Sequence, residues 1–522
     1  MRNAPHVRRF GALLRDLRVA AGLTQEELAE RAGLSVRGLQ KLEAGESLPY
    51  RATALRLGQA LSLEGRTRAE FLAAARPDPP RPPVPSPRPT PVGFEGVRRR
   101  VDELTDTGSH TLHAGLLAEA MAAFDRALAL LDAMPASDDV QRLRLLLLGS
   151  LWAPYAQLGR VADYEELLTR AEPLAVTLGD AGLLGLLSNR LAFCRWAAGD
   201  LERARRMWMK ALDLCQVGGN PAEAAVAHVM LQWCRLTRAD YLEVLLCHEQ
   251  TLLAIDEAPN VTWHVWALIA TTCAYALRGH GDLALVEAEE ALAVAEEAGD
   301  VGALAGAGTA MAFALAVSAN PEAARAQGQR AVELARTPLE CVWAKAIHGL
   351  LCCRDGETAT GLELLSSVLP VVQAMHVQPV ESSVLLALGE GSARAGFPEA
   401  ARTQINALLH QAEPSRMLFH VGVAHRLLGE VALDTSAPAD ELTAAAAHFD
   451  RSIDVLSDIG AEHELALAHL AYGRQHQQGD DAARARTEMT SALQIFSRLG
   501  ATADADRTRQ RLAELASEGN GA

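Results

Sequence analysis

The chain has 522 residues, which is enough for several domains or for one long array of repeats. Hydrophobic residues make up 49% and aromatic residues only 4%, and the abundance of Ala and Leu favours helices over sheets. There is no apolar run long enough for a membrane span or a secretion signal, and the eight cysteines form no C-x-x-C pair. These features favour a cytoplasmic chain with reduced thiols over a disulfide framework or a zinc site.

The net charge of -16 is unevenly distributed along the sequence. Residues 1–100 contain 18 Lys and Arg against 10 Asp and Glu, whereas the remaining residues contain 31 against 55. A basic head followed by an acidic body indicates that the head contacts nucleic acid and that the body is repelled by it.

Helical spacing of apolar residues predicts five short helices in the head. A capping box formed by Thr24 and Glu27 marks the start of the second helix, and Gly33 supplies the turn before the third. The helices are expected at about 10–21, 24–32, 35–43, 50–61 and 66–75.

The stretch LTQEELAERAGLS over residues 23–35, followed by Leu39, Leu42 and Gly45, resembles the Cro/C1-type (Xre-like) helix-turn-helix family. Small Ala29 and the turn residue Gly33 stand at family positions. The resemblance implies that the head binds double-stranded operator DNA, with the third helix in the major groove and the second crossing the backbone.

The same resemblance implies which side chains contact the DNA. Arg37 and Lys41 project from one face of the third helix, where they can donate to guanine, although the alternative for each is a solvated surface. The positions implied to contact bases are Val36, Arg37, Gln40 and Lys41, and those implied to hold phosphates are Gln25, Ser35 and Arg51.

A proline-rich segment separates the head from the body. Nine of the fifteen residues from Pro77 to Pro91 are proline, a composition that predicts an extended, semi-rigid spacer. The predicted division is therefore a helix-turn-helix domain at 1–76, a Pro/Arg-rich linker at 77–100 and a repeat domain at 101–522.

A small or turn residue recurs along the body at intervals of 37 to 44 residues, which predicts paired helices joined by turns. The predicted turns lie at Gly115, Gly159, Gly199, Ala239, Gly281, Ala319, Gly356, Gly396, Ala437 and Asp480.

Several units also place a bulky residue between two small ones on one helix face, as in Ala204-Trp208-Ala211. This pattern resembles the tetratricopeptide repeat (TPR) family, although the period is longer and several units are degenerate. The predicted fold is therefore all-α, with a five-helix head and an α-solenoid of about ten degenerate TPR-like helix pairs.

Aromatic residues stand six positions before four successive turns, at Phe193, Trp233, Tyr275 and Phe313. Asn189, four residues before the first of them, opens a mostly polar row on the same helices. A groove of this kind would suit an extended peptide or an apolar small molecule. The alternative is ordinary packing between helices.

The chain lacks a P-loop, the G-x-S-x-G and H-E-x-x-H motifs and any Cys/His group with metal-ligand spacing. We therefore expect no enzyme activity, no cofactor, no metal and no membrane association. The sequence predicts a sequence-specific transcriptional regulator whose solenoid mediates homodimerisation and senses a peptide, a small molecule or a protein partner. The alternative is a TPR adaptor or scaffold in which the head only tethers or dimerises.

Overall fold

The computed structural model describes residues 5–32, 34, 36–44, 49, 51–61, 63, 71, 93–318, 320–434, 439–479 and 481–519. The chain divides into two compact units, Met1–Val92 and Gly93–Ala522. Every regular element among the described residues is a helix, so the predicted all-α fold is confirmed. In the same residues, no helix is long and apolar enough to span a bilayer.

The first unit packs short helices around a small apolar core. Phe10, Leu28, Leu39 and Leu57 are fully buried in it, and the ring of Phe71 lies 5.4 Å from that of Phe10. The rest of the fifth helix predicted at 66–75 lies outside the described residues. The helices span Pro5–Ala20, Gln25–Arg31, Val36–Glu43 and Arg51–Ala60.

The predicted capping box is confirmed at the start of the second helix. The Glu27 amide donates to Thr24 Oγ1 at 3.1 Å, and the Thr24 amide donates to the Glu27 carboxylate at 2.7 Å. These two hydrogen bonds satisfy N–H groups that have no partner within the helix. They fix where the helix-turn-helix begins.

The structure shortens the predicted linker at its C-terminal end. Residues 77–92 lie outside the described residues, but residues 94–100, predicted as linker, belong to the helix Phe94–His113. Val101 and Leu104 of this helix are buried, and Phe94 and Val97 pack against the same core. The apolar spacing of these residues explains why the helix starts so early.

In the described part of the second unit, ten consecutive helix pairs are followed by the helix Thr502–Gly519, which confirms the predicted TPR-like α-solenoid. The first helices of the pairs are Phe94–His113, Asp138–Gly149 with Trp152–Gln157, Ala181–Ala197, Pro221–Arg238, Val261–Leu277, Val301–Val317, Pro338–Arg354, Gln378–Arg394, Leu418–Asp434 and Glu462–Gln478. The second helices are Leu117–Asp132, Val161–Leu178, Leu201–Gly218, Tyr241–Leu246 with His248–Glu257, Gly281–Ala298, Pro321–Leu334, Thr358–Met375, Pro398–Ala412, Ala439–Ile459 and Ala482–Arg498.

Left-handed residues make most of the turns within the pairs. The predicted turn at Gly281 was wrong by two residues, because Gly279 (φ 88°) makes the turn and Gly281 begins the next helix. The turns predicted at Ala319, Ala437 and Asp480 lie outside the described residues. The confirmed turn residues, all with positive φ, are Gly115, Gly159, Gly199, Ala239, Gly356 and Gly396.

Bulky residues of the second helices pack against glycines of the first. A Cβ added to Gly108 would lie 2.7 Å from the ring of Phe124, and one added to Gly473 would lie 2.7 Å from Met489. Both Phe124 and Met489 are buried. The close approach predicted from alternating small and bulky residues is confirmed.

The solenoid coils back on itself, so that pairs five apart in sequence touch. Gly159 of the second pair lies against Ala374 of the seventh, and Gly279 of the fifth lies against Leu499 of the tenth. The helices Ala181–Ala197 and Gln378–Arg394, from the third and eighth pairs, are also in contact. Successive turns of this superhelix therefore close the side of its interior.

Replacing Gly159 by alanine should destabilise the repeat unit more than replacing Gly179. Both glycines have positive φ, so each substitution costs about 1–2 kcal/mol in backbone strain. Only at Gly159 would the new Cβ also collide with the Ala374 carbonyl, at a further cost of about 1–3 kcal/mol. Denaturant unfolding of both variants measures the difference, and equal effects would contradict the contact between superhelical turns.

Candidate functional site

The third helix of the first unit, Val36–Glu43, has one buried face and one exposed face. Leu39 and Leu42 are buried in the core, whereas Arg37, Gln40 and Lys41 are exposed and Val36 is half-buried. All four residues predicted to contact bases are thus exposed or half-buried on one short helix. Ser35 and the side chain of Arg51, predicted to hold phosphates, lie outside the described residues.

A hydrogen-bonded network joins this helix to the two helices before it. Arg18 pairs with the Glu43 carboxylate at 2.6 and 3.1 Å, and the Gln25 amide donates to the same carboxylate at 2.7 Å. Gln40 in turn donates to the Gln25 side-chain oxygen at 3.3 Å. Gln25, predicted to hold a phosphate, therefore also supports the third helix. The sequence alone does not reveal this role, because it depends on which side chains face Glu43.

Glu43 makes the stability of the first unit sensitive to acid. Burial raises the pKa of Glu43, but the hydrogen bonds from Arg18 and Gln25 outweigh it and leave the pKa below its ordinary value. A carboxylate with a lowered pKa in the folded state stabilises the fold at neutral pH, and that stabilisation is lost as pH falls below about 4.5 through the folded pKa.

Replacing Glu43 by glutamine should therefore cost about 1.5–3 kcal/mol at pH 7 and much less at pH 3, because charged hydrogen bonds are lost. Amide hydrogen exchange in Pro5–Ala20 would follow the effect. The control is Asp16→Asn, at an exposed position of the helix Pro5–Ala20. An equal loss at both pH values would contradict the role of the Glu43 charge.

In the second unit, two adjoining cavities of about 300 and 160 Å³ lie mainly between the first helices of the pairs. Five of the seven tryptophans border one or both of them, and Trp233 lies 5.0 Å from Trp343, ring centre to ring centre. The residues that border both cavities are Trp196, Trp233, Ile269, Gly306, Thr309, Trp343 and Val380.

The structure brings three of the four predicted groove aromatics to this interior. Phe193 borders the smaller cavity, Phe313 the larger one and Trp233 both. Tyr275 borders neither, because the turn at Gly279 shifts the register by two residues and places Cys273 at the cavity instead. Tyr275 packs instead against an apolar cluster of Ala276, Ala284, Ala288, Met311 and Ala314.

Asn189 is buried but does not border either cavity. Its side-chain amide donates to the Glu223 carbonyl at 2.9 Å and to the Glu223 carboxylate at 2.8 Å. Arg190 pairs with the same carboxylate at 2.7 and 2.9 Å and donates to the Gly149 carbonyl. Asn189 therefore lies away from both cavities, and a partner 34 residues away holds its amide nitrogen.

A charged cluster that the sequence did not reveal borders one end of the larger cavity. Glu390 accepts two hydrogen bonds of 2.8 Å from Arg354 and one of 2.9 Å from Arg394, while Arg426 pairs with Glu464. Burial raises the pKa of Glu390, but Arg354, Arg394 and Arg426 together outweigh it and hold that pKa well below its usual range. The signal available in the sequence was a carboxylate between two glycines, Gly389 and Gly391.

The thiols of the second unit are poorly suited to nucleophilic chemistry. Burial raises the pKa of Cys194, Cys215, Cys234 and Cys273 to about 12 in each case, so these thiols stay protonated at neutral pH. Among the described residues, no group of three or more His, Cys, Asp and Glu side chains is placed to hold a metal ion.

Comparison with solved structures finds proteins that match about four fifths of this chain. A Rap protein complexed with competence and sporulation factor is 14% identical with a TM-score of 0.41, and the match covers 80% of this chain and 98% of that one. Aspartyl phosphate phosphatase F from Bacillus subtilis is 11% identical with a TM-score of 0.37, covering 78% and 96%. A Rap conjugation gene regulator in complex with a Phr peptide is 12% identical with a TM-score of 0.39, covering 78% and 97%.

Comparison of sequences assigns the first unit. No curated protein sequence is significantly similar to the chain. Residues 9–71 match a family model described as a helix-turn-helix domain. The match spans the capping box, the third helix and the core residue Phe71. Residues 9–71 are thus a helix-turn-helix domain, and the helix pairs after Gly93 are an α-solenoid.

Proposed function

We propose that the chain is a sequence-specific DNA-binding transcriptional regulator. The observation that carries the proposal is the third helix, whose buried Leu39 and Leu42 fix it in the domain while Arg37, Gln40 and Lys41 remain exposed. Arg and Lys at such positions donate to guanine O6 and N7 in the major groove. The positive balance of residues 1–100 supports the same assignment, since attraction to phosphates supplies much of DNA affinity.

Regulation requires the solenoid to respond to a signal. A single helix-turn-helix reads only a half-site, so we infer a homodimer held by the solenoid, with two heads about one helical turn apart on the operator. A peptide, small molecule or protein partner bound by the solenoid would change the availability of the heads. The protonated thiols described above are poorly suited to nucleophilic catalysis, so we assign them no catalytic role.

Binding measured at several salt concentrations tests this proposal. We expect log K to fall steeply with log salt and specific duplexes to stay preferred at moderate salt. A chain lacking residues 1–76 should bind no duplex, and a solution mass twice that of one chain, for both the intact and the shortened protein, would show that the solenoid holds the dimer. If the intact chain binds every duplex equally, the head only tethers and the adaptor alternative is correct.

A further inference from the structure

The interior of the solenoid is a nearly apolar space. The larger cavity alone, about 300 Å³, is at the lower end of the roughly 300–1,000 Å³ typical of small-molecule sites. Trp233, Ile269, Gly306 and Trp343 border both cavities, which makes the two adjoin. Such walls offer flat aromatic faces and aliphatic surface to a ligand.

Three of the polar groups on the shared walls, those of Trp196, Trp233 and Thr309, already have protein partners. The Trp233 indole N–H donates to the Trp266 carbonyl at 3.0 Å, and the Trp196 indole N–H donates to Thr237 at 3.2 Å. The Thr309 hydroxyl donates to the Ala305 carbonyl at 2.8 Å. An extended peptide would bury its own N–H and C=O groups here without partners, at about 1–3 kcal/mol for each group. The walls therefore disfavour a peptide.

The charges that border the larger cavity are balanced within the protein. Arg354 pairs with Glu390, Arg426 pairs with Glu464, and neither carboxylate is left without an arginine. Burial lowers the pKa of His420, which also borders this cavity, to about 4, so its imidazole is neutral at pH 7. A charged ligand would lose its hydration without gaining an uncompensated counter-charge.

Arg354 Nη1 and the Tyr241 hydroxyl are two hydrogen-bond donors of residues that border the larger cavity, and neither has a protein partner among the described residues. The Arg354 side chain, 31% exposed, uses Nε and Nη2 for its carboxylate contacts and leaves Nη1. The Tyr241 hydroxyl is buried and has no partner. An unsatisfied buried hydroxyl costs free energy that a ligand oxygen can recover.

We propose that this interior binds an uncharged, ring-containing apolar small molecule that carries a hydrogen-bond-accepting oxygen. The claim that this molecule is the regulatory signal rests on the proposed function. The claim that the molecule binds in this interior does not. The test below therefore measures binding without DNA.

A suitable probe is 6-propionyl-2-dimethylaminonaphthalene, an uncharged two-ring fluorophore with one ketone whose emission shifts to the blue in apolar surroundings. We expect saturable binding to the intact chain, with energy transfer from the tryptophans that border the cavities. Gly306→Leu should weaken binding at least tenfold, because a Cβ at Gly306 meets only Ile269, at 3.3 Å, and the larger side chain fills the space between the cavities. Ala293→Leu, which adds similar bulk to an exposed helix face, should bind the probe like the unmodified chain.

Tyr241→Phe tests the acceptor. It should weaken the ketone probe several-fold and leave competition by 2-ethylnaphthalene, which has no oxygen, unchanged. Three results would overturn the proposal: no saturable binding by a chain with normal helix content, binding that Gly306→Leu leaves unchanged, or displacement of the probe by anionic 1-anilinonaphthalene-8-sulfonate or by capped pentapeptides as readily as by uncharged ring compounds. If the probe binds as expected and the chain shows no preference among duplexes, the site stands and the regulator assignment falls.

Discussion

Replacing Glu223 by alanine should destabilise the third and fourth helix pairs by about 3–5 kcal/mol, the largest stability effect that we expect in this chain. The Arg190 side chain is 10% exposed and that of Glu223 is 11% exposed. Without the carboxylate, the Arg190 guanidinium keeps only the Gly149 carbonyl as a hydrogen-bond partner among the described residues, and a buried charge without a counter-charge is strongly unfavourable. Amide hydrogen exchange in Ala181–Ala197 and Pro221–Arg238 would measure the loss.

The double variant Arg190→Met with Glu223→Met separates charge from packing. Replacing both members of a buried ion pair by apolar residues is often neutral, so the double variant should recover most of the lost protection. Glu202→Ala, which removes a carboxylate that is 45% exposed, should have a small effect. If the double variant is as unstable as Glu223→Ala, the carboxylate does not act mainly by compensating Arg190.

Replacing Arg37 and Lys41 by alanine should remove sequence preference and weaken binding to a preferred duplex. A good contact to a base edge discriminates by about 1–3 kcal/mol, so loss of both corresponds to roughly a 30-fold to 10⁴-fold change in specific affinity. Binding to unrelated duplexes should fall less, because those complexes depend on phosphate contacts. Fluorescence anisotropy with the preferred duplex and a scrambled one measures both affinities.

The matched control removes the same two positive charges elsewhere. Arg126 and Lys210 are exposed on helices of the second unit, so the variant Arg126→Ala with Lys210→Ala changes net charge equally. It should keep the preference for the selected duplex. A parallel loss in both double variants would mean that net charge, and not the third helix, determines binding.

Local features of the chain were predictable from neighbouring residues. The capping box of Thr24 and Glu27 depends on residues three apart, and most repeat turns depend on one glycine that tolerates positive φ. The turn predicted at Gly281 was wrong because Gly279 and Gly281 both permit a turn, and the local sequence pattern does not choose between them. Counting six residues back from the wrong turn selected Tyr275 as a groove residue, whereas counting from Gly279 selects Cys273.

The interior of the solenoid was predictable only in part. Phe193, Trp233 and Phe313 reach it because helical register alone selects the face they occupy. The partner of Asn189 and the cluster around Glu390 depend on side chains more than 30 residues away. Whether the interior is an open groove or an enclosed space depends on small rotations summed over five helix pairs, which no local pattern records.

Selection of bound duplexes from a randomised pool by the intact chain, at moderate ionic strength, tests the central claim most directly. We predict enrichment of one short motif in two copies, centred about one helical turn apart, as expected for two heads that each read a half-site. If the selected duplexes are as random in sequence as the starting pool, the claim that the helix carrying Arg37 reads DNA sequence is contradicted.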